Sequence, residues 1–313
     1  MTEKIKDEVK NARKLENIND PIDTYVVDYV AMFFSRIFIK LHILPNAVTV
    51  MSGIVGVTGG VLLCFNSLIT DIAAVIAIVM SAILDACDGQ VSRLTGHFSR
   101  IGRTLDGFMD SVVYITIYAA LCVRLFCAQI PFTGITWGIM IIPLSAVALL
   151  LFGAQARTAD YYKNLHIFMF TRGGGELTRS AVIEKQISEC KKPSFERVRL
   201  VLYRSYTALQ EKKTPATQVL LDRIGGSCEN VSDVIFEEFL SKSRKYVMMT
   251  NLLTFNLRTI VLFILLFLPG DPEFLIFLFV IFILEPVRLV IIAKYEKLAA
   301  SLTERNALAA TER

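Results

Sequence analysis

Long apolar stretches alternate with short polar segments along this chain, and the pattern predicts a bundle of membrane-spanning helices. Six apolar stretches are each close to the ~20 residues that a helix needs to cross a bilayer. A tight turn, Pro269-Gly-Asp-Pro272, separates the last two stretches. We place the spans at residues 46–66, 70–92, 102–126, 134–156, 247–268 and 273–293.

The segment before the first span reads as an amphipathic helix. Residues 1–20 are a charged tail, and from Ile22 to His42 apolar and aromatic residues recur at intervals of three and four. Arg36 and Lys40 mark the opposite face. A helix of this composition can lie in the membrane interface, and the alternative is an ordinary core helix. We favour the interfacial helix because a span follows almost at once.

A long polar insert separates the fourth and fifth spans. Its mixed charges and helical periodicity predict a packed helical segment without a recognisable catalytic arrangement of side chains. The helices are expected at 176–190, 194–212, 215–224 and 231–243. The predicted organisation is 1–43 for the tail and interfacial helix, 44–157 for the first four spans, 158–246 for the insert, 247–293 for the last two spans and 294–313 for a polar helical tail.

Composition and charge agree with an all-α integral membrane protein. Of 313 residues, 54% are hydrophobic and 20% are charged, so the charges must be segregated. Of the 33 Lys and Arg, only Arg124 falls in a predicted outer loop (67–70, 124–133 and 269–273). The positive-inside rule therefore places both termini and the 94–101 loop in the cytosol, and we expect the plasma membrane. The six cysteines show no paired spacing, so we expect no disulfide framework. We also expect no nucleic-acid partner.

Four carboxylates stand at fixed spacings around the loop between the second and third spans. Asp85 and Asp88 are three residues apart, and Asp106 and Asp110 are four apart, so each pair shares one face of a helix. Two antiparallel helices joined by residues 94–101 would aim all four at one point. Carboxylates that close repel one another, and a hard divalent cation with oxygen ligands relieves the repulsion.

The complete pattern resembles the signature of the CDP-alcohol phosphotransferase family. Seven of its eight fixed positions agree, and the departure is Ser92, where the family usually has Ala. The resemblance implies a membrane enzyme of phospholipid biosynthesis, in which an acceptor hydroxyl attacks the β-phosphorus of a CDP-linked alcohol and CMP is released. The agreeing positions are Asp85, Asp88, Gly89, Arg93, Gly102, Asp106 and Asp110.

The same resemblance implies a division of roles among these residues. The four aspartates would ligate Mg²⁺ or Mn²⁺, with two ions in the site, and Asp110 would also accept the proton of the attacking hydroxyl. Gly89 would let the diphosphate approach the helix, since a side chain there would block it. The CDP group would contact Asn46, Thr49, Gly89, Arg93, Ser99 and Gly102.

Glycines recur along the first span, at Gly53, Gly56, Gly59 and Gly60. Small residues at this spacing allow close helix packing, or they leave room for a ligand beside the aspartates. Together with the interfacial helix they suggest a lateral entry for lipid tails, which favours CDP-diacylglycerol as the donor. CDP-choline or CDP-ethanolamine with a lipid alcohol is the alternative. The glycines and the resemblance also suggest a homodimer.

Three arginines near or within the spans are candidates for binding the acceptor: Arg157, Arg258 and Arg288. Charges at membrane depth are costly and commonly functional. Three positive charges argue for a phosphorylated acceptor rather than a neutral small alcohol. The alternative is structural, with Glu285 pairing with Arg288 or Arg258. In the fifth span, Arg258 is predicted to share one helix face with Asn251 and Thr254.

A different class of function uses the same carboxylates as the ion site of a cation transporter. Two observations count against it. The carboxylates fall at one membrane end rather than at the midplane, and Gly89 and Arg93 would have no function in a cation site. We therefore favour the enzyme.

Overall fold

A computed structural model of the chain describes residues 27–97, 100–173, 177, 179–190, 195–224 and 233–311. The charged tail, the first residues of the predicted interfacial helix and Ser99 lie outside these ranges. The described part is helical almost throughout, with an isolated antiparallel bridge between Gln129 and Thr136.

The α-helices follow one another with short connections. In the first half they are α1 Asp28–Lys40, α2 Pro45–Leu62, α3 Leu68–Thr95, α4 Arg100–Leu125 and α5 Ile141–Thr171. In the second half they are α6 Ser180–Glu189, α7 Phe195–Lys213, α8 Pro215–Ile224, α9 Asp233–Met249, α10 Phe255–Leu266, α11 Leu275–Leu278 and α12 Glu285–Thr311. Short 3₁₀ segments cover Gly138–Met140, Thr250–Leu253 and Pro272–Phe274, and a π-helical stretch covers Phe279–Leu284.

Several helices are long and apolar enough to cross a membrane. By length and composition there are five in the described residues, or six if the broken pair Asp233–Leu253 and Phe255–Leu266 counts as one span. The protein is thus an all-α integral membrane protein, as the hydropathy pattern predicts. The helix expected over 134–156 is longer than predicted and continues to Thr171. The four helices of the insert lie close to their predicted positions.

The predicted fifth span is not one regular helix. The chain passes through a 3₁₀ turn at Thr250–Leu253, and Thr254 is extended. The Thr250 hydroxyl donates to the Val247 carbonyl (2.5 Å), and the Thr254 hydroxyl donates to the Asn251 carbonyl (2.6 Å). Such side-chain bonds to nearby backbone compete with a continuous helix. The expectation of Asn251, Thr254 and Arg258 on one helix face is therefore wrong.

The chain divides into two compact units. Unit 1 comprises the chain up to Phe152 together with Phe255–Phe282, and unit 2 comprises Gly153–Thr254 and the chain from Ile283 onward. All four aspartates of the motif belong to unit 1, whereas the insert and all of α12 belong to unit 2.

The glycines of α2 let α3 and α4 pack closely against it. A Cβ atom added to Gly56 would lie 2.6 Å from both Ser81 Oγ and Val113 Cγ2, which is closer than real Cβ contacts allow. The other three glycines are equally enclosed, against Met109 for Gly53, Ile78 for Gly59 and Thr116 for Gly60. This face is therefore a packing surface, and the glycines support neither a lateral lipid entry nor a dimer contact.

Arg124, which the sequence placed in an outer loop, is buried in an ion cluster. Its guanidinium lies 2.5 Å from Asp71 Oδ1 and 2.7 Å from Glu273 Oε1, and the three side chains are at most 4% exposed. The cluster joins the first turn of α3, the last turn of α4 and the 3₁₀ segment at Pro272–Phe274. A buried arginine between two carboxylates fixes these three chain segments together.

Unit 2 is organised around α12. Tyr295 stacks on Tyr162 of α5, with ring centres 4.0 Å apart and planes inclined by 12°. The next residue, Glu296, accepts hydrogen bonds from the backbone amides of Ala216 (2.7 Å) and Thr217 (3.2 Å). These amides open α8, where backbone donors lack helical partners, so Glu296 caps that helix.

The enclosure of Gly56 predicts a specific loss of stability. Gly56→Ala forces the Ser81 or Val113 side chain to move, and overpacking of this kind costs about 1–3 kcal/mol. The control is Gly107→Ala on α4, where an added Cβ meets nothing within 4 Å. That change should be neutral or stabilising by up to about 1 kcal/mol, since alanine favours helix. Unfolding followed by circular dichroism in detergent measures both, and equal stability of the two variants would contradict the packing role.

Candidate active site

Helices α3 and α4 bring three carboxylates together. Oxygen atoms of Asp85, Asp88 and Asp106 all lie within 4.8 Å of one another, and the three residues are half-buried. Asp85 and Asp88 project from α3, and Asp106 projects from α4. Among the described residues, no lysine or arginine forms an ion pair with any of the three. The half-buried carboxylate oxygens of these three residues fit the oxygen-rich coordination that Mg²⁺ and Mn²⁺ prefer.

Asp110 stands beside this group rather than within it. It follows Asp106 by one turn of α4, and its side chain is exposed. Its charge acts on Asp85, Asp88 and Asp106, but its oxygens are outside the set that lies within 4.8 Å. An exposed carboxylate at the edge of this carboxylate cluster is suited to meet an incoming hydroxyl. Its assignments as ligand and as base stay predictions.

The start of α2 supports the cluster. The Thr49 hydroxyl donates a hydrogen bond to Asp88 Oδ2, and Thr49 is only 3% exposed. Asn46 lies half-buried in the first turn of the same helix. The sequence predicts that both residues contact CDP. In the structure, Thr49 orients one of the carboxylates, a role that the sequence does not predict.

Gly89 and Arg93 lie against each other on α3. An added Cβ at Gly89 would stand 3.2 Å from both terminal guanidinium nitrogens of Arg93. The arginine side chain therefore folds back over the glycine, which directly follows Asp88 and lies one turn after Asp85. This places a cation beside the carboxylate cluster, where a diphosphate would need one. Gly102 is half-buried in the first turn of α4.

The residue that departs from the family signature has a structural role. The Ser92 hydroxyl donates to the His97 carbonyl at 2.9 Å, across the end of α3. The helix ends at Gly96 with φ of 71°, a left-handed conformation that glycine adopts readily. Alanine at position 92 could not form this bond, so here serine holds the start of the connection to α4.

A second set of polar residues holds the opposite face of α3. The Ser35 hydroxyl donates to Gln90 Oε1 (3.1 Å), and Gln90 Nε2 donates to the Asp28 carbonyl (3.0 Å). The Cys87 thiol contacts the Ala31 carbonyl at 3.3 Å. Ser35, Cys87 and Gln90 are almost fully buried. Helix α1 thereby fixes the rotation of α3 and the direction of its aspartates.

Sequence reasoning missed this contact. A signal was present, because Cys87 and Gln90 are three residues apart in the predicted second span, like Asp85 and Asp88. A polar residue in a span needs a hydrogen-bond partner. The pattern alone does not say that helix α1 supplies it.

The three candidate arginines have different surroundings. In unit 1, Arg258 is 4% exposed, and its guanidinium carbon lies 4.5 Å from the centre of the Phe152 ring. In unit 2, Arg288 pairs with Glu285, which also accepts a hydrogen bond from Gln155 at 3.2 Å. The ion pair between Glu285 and Arg288, which the sequence offers as the alternative to acceptor binding, is thus present in the structure.

The third arginine, Arg157, folds over Gly153. An added Cβ at Gly153 would meet Arg157 Nη1 at 3.3 Å. Both residues belong to unit 2. Arg258 therefore shares a compact unit with the aspartates, while Arg157 and Arg288 belong to the other unit.

Comparison with known proteins identifies the segment that carries the cluster. Residues 42–172 match the sequence model of the CDP-alcohol phosphatidyltransferase family. This segment is similar to a CDP-alcohol phosphatidyltransferase domain. It contains the four aspartates, Gly89, Arg93 and the start of α2, and it confirms the resemblance that the signature predicts.

The chain is also similar to part of a curated protein. The chain is 32% identical over 114 residues to a CDP-diacylglycerol–serine O-phosphatidyltransferase of Mycobacterium leprae. The match covers 36% of this chain and 36% of that protein, so it spans about a third of the relative's length. Helices α6 to α12 lie beyond the matched family segment.

The geometry predicts metal binding that depends on Asp106. Asp106→Asn removes one of three converging carboxylates while keeping the side-chain shape, so Mn²⁺ affinity should fall by at least about tenfold. Electron paramagnetic resonance or calorimetry on the purified protein measures it without any substrate. The control is Asp160→Asn in unit 2, which should bind Mn²⁺ like the wild type. Equal affinity of a folded Asp106→Asn variant would exclude the cluster as the metal site.

Proposed function

We propose that this protein transfers a phosphatidyl group from CDP-diacylglycerol to the hydroxyl of a small polar acceptor and releases CMP. The observation that carries the proposal is the convergence of Asp85, Asp88 and Asp106 within 4.8 Å, inside a CDP-alcohol phosphatidyltransferase domain. The relative's name, which includes CDP-diacylglycerol as donor, favours this donor over CDP-choline or CDP-ethanolamine.

The residues divide the work of the reaction. Mg²⁺ or Mn²⁺ bound by Asp85, Asp88 and Asp106, with two ions proposed, would neutralise the diphosphate charge. Arg93 binds the diphosphate, and Gly89 leaves the helix surface open beneath it. The remaining CDP contacts are proposed for Asn46, Thr49, Ser99 and Gly102.

Bond making and breaking require one proton transfer. The acceptor oxygen attacks the β-phosphorus and forms a new phosphate ester. Asp110 takes the hydroxyl proton, acting as general base. The bond between the β-phosphorus and the bridging oxygen breaks, and CMP leaves with that oxygen. The charge of the departing phosphate is offset by Arg93.

The acceptor we propose is a small hydroxyl compound with one anionic group, and L-serine is the first to test. The relative acts on serine by name. The ion pair between Glu285 and Arg288 offsets one of the three arginine charges that favoured a phosphorylated acceptor. Arg258, in the same unit as the aspartates, is the principal proposed contact, with Arg157 and Arg288 as further candidates.

The setting of the reaction is also a proposal. The distribution of Lys and Arg favours a cytosolic active site, with both termini on the same side of the plasma membrane. A homodimer rests on the family resemblance alone, since the α2 glycines are enclosed within the chain.

Release of CMP tests the proposed function. Purified enzyme with Mg²⁺ or Mn²⁺ should release CMP from CDP-diacylglycerol when L-serine is added. Asp110→Asn should lower kcat by about two orders of magnitude, the scale of a lost general base, with little change in the donor KM. It should retain more Mn²⁺ affinity than Asp106→Asn. CMP release only from CDP-choline with diacylglycerol would instead identify the alternative donor class.

Replacing an arginine that binds the acceptor should change the KM for the acceptor and not the KM for the donor. Arg258→Ala should raise the acceptor KM by about tenfold or more, because a hydrogen bond to a charged group is lost, and should leave the donor KM nearly unchanged. Arg157→Ala and Arg288→Gln test the other two candidates in the same assay. The double variant Glu285→Gln/Arg288→Gln removes both charges of the pair. A normal acceptor KM in that double variant would make Arg288 structural, and a normal KM in Arg258→Ala would remove the principal contact.

A further inference from the structure

Unit 1 contains a pocket, here called the aromatic pocket, whose wall includes the α4 residue four positions after Asp110. Its empty space, counted together with the solvent at its open mouth, is about 390 Å³, and its lining includes Tyr114, Tyr118, Phe152, Phe255 and Arg258. All of these residues belong to unit 1. The walls are largely apolar and aromatic, so the guanidinium of Arg258 and the tyrosine hydroxyls supply the specific polar contacts.

The aromatic pocket continues the helix face that carries the proposed base. Asp110, Tyr114 and Tyr118 follow one another at intervals of four residues on α4, so they project from one face. Tyr118 is two turns from Asp110, about 12 Å along the axis, and long side chains in a helix lean towards its N-terminus. The tyrosine side chain therefore leans towards Asp110.

The rings of the aromatic pocket are fixed by their neighbours. Tyr114 meets Phe152 edge-on, with ring centres 4.4 Å apart, and Phe255 at 4.9 Å. Tyr118 lies 6.3 Å from Phe152 and 5.7 Å from Phe277, measured between ring centres. The guanidinium of Arg258 lies over the Phe152 ring, which both tyrosines also contact. The polar atoms are thus held in place before any ligand arrives.

The hydroxyl of Tyr118 has no hydrogen-bond partner among the described residues. Tyr118 is 7% exposed, and its hydroxyl oxygen is fully buried. Leaving such a group unpaired costs folding free energy, because its hydration is lost without a replacement. The charge of Arg258 acts on both Tyr118 and Tyr114. A buried donor and a guanidinium in one cavity form a site for an anion.

We propose that Tyr118 is a specificity-determining residue, whose hydroxyl binds, together with Arg258, the anionic group of the acceptor. The proposal rests on the proposed function, in which the acceptor hydroxyl lies at Asp110. The ligand chemistry is an anion a few bonds away from a hydroxyl. A carboxylate, as in L-serine, and a phosphate, as in glycerol 3-phosphate, share it.

Tyr118→Phe tests the proposal because it removes only the unpaired hydroxyl. Without ligand, the Tyr118→Phe protein should melt at the same temperature as the wild type or higher, because the buried hydroxyl that lacks a hydrogen-bond partner is removed. Its acceptor KM should rise on the order of tenfold, with the donor KM unchanged. A structural role would not produce this combination of retained stability and weaker acceptor binding.

The matched control is Tyr162→Phe in unit 2. Tyr162 is also buried, its hydroxyl also lacks a partner among the described residues, and its ring stacks on Tyr295. The variant should show the same stability effect with unchanged kinetics. Assays with L-serine and with glycerol 3-phosphate identify the anion, because the KM should rise for whichever one the wild type uses.

A binding measurement separates failure of this proposal from failure of the proposed function. Each compound is added to the protein without donor, and the shift in melting temperature is recorded. A shift with L-serine or glycerol 3-phosphate that Tyr118→Phe abolishes supports the aromatic pocket even if no CMP is released. An unchanged shift, or an unchanged acceptor KM in an active enzyme, overturns the role of Tyr118. If neither compound shifts the wild type or supports turnover, the anion site is also overturned.

Discussion

The mutual repulsion of three half-buried carboxylates is the constraint that unit 1 has to meet. Oxygens of Asp85, Asp88 and Asp106 lie within 4.8 Å of one another, and without a cation that arrangement is unfavourable. Only a rigid scaffold can hold such a group ready for metal. The scaffold is the close packing of α2 against α3 and α4, which depends on four glycines along α2. The four glycines, which have no proposed role in catalysis, therefore make the close approach of the three carboxylates possible.

Helix α3 is held on two sides. On the aspartate side, Thr49 donates to Asp88, and on the opposite side Ser35 and Gln90 join α3 to α1. At the far end of the helix, Asp71 enters the ion cluster with Arg124 and Glu273. Polar contacts in an apolar bundle have few competitors, so each favours one arrangement of the helices. The rotation and depth of α3, and with them the positions of Asp85 and Asp88, are thus over-determined.

Local periodicity was sufficient to predict much of this fold, since helices and spans depend mainly on neighbours in the chain. The spacing of the four aspartates predicts that all of them converge; Asp85, Asp88 and Asp106 lie within 4.8 Å of one another, and Asp110 lies outside that set. The break at Thr250–Thr254 was not predictable from hydropathy, since it comes from side-chain bonds to the backbone. The partners of Gln90 and Arg124 depend on tertiary packing, and no pattern within one helix specifies them.

The limits of the family domain and of the physical unit do not coincide. The matched segment ends at residue 172 and begins at residue 42, after α1. Yet Gln90 bonds to α1, and the ion cluster includes Glu273, which lies about a hundred residues beyond the matched segment.

Arg258 and Phe255 likewise come from outside the matched segment to complete the aromatic pocket. The carboxylate cluster is built wholly from the matched segment, whereas the aromatic pocket also includes residues from the later chain. Under the proposed function, the donor site lies inside the matched segment, and the acceptor site also uses the later chain. Changes in the helices after the domain can reshape the second pocket without disturbing the aspartates, because the two sites share only α3 and α4 and the packing between them.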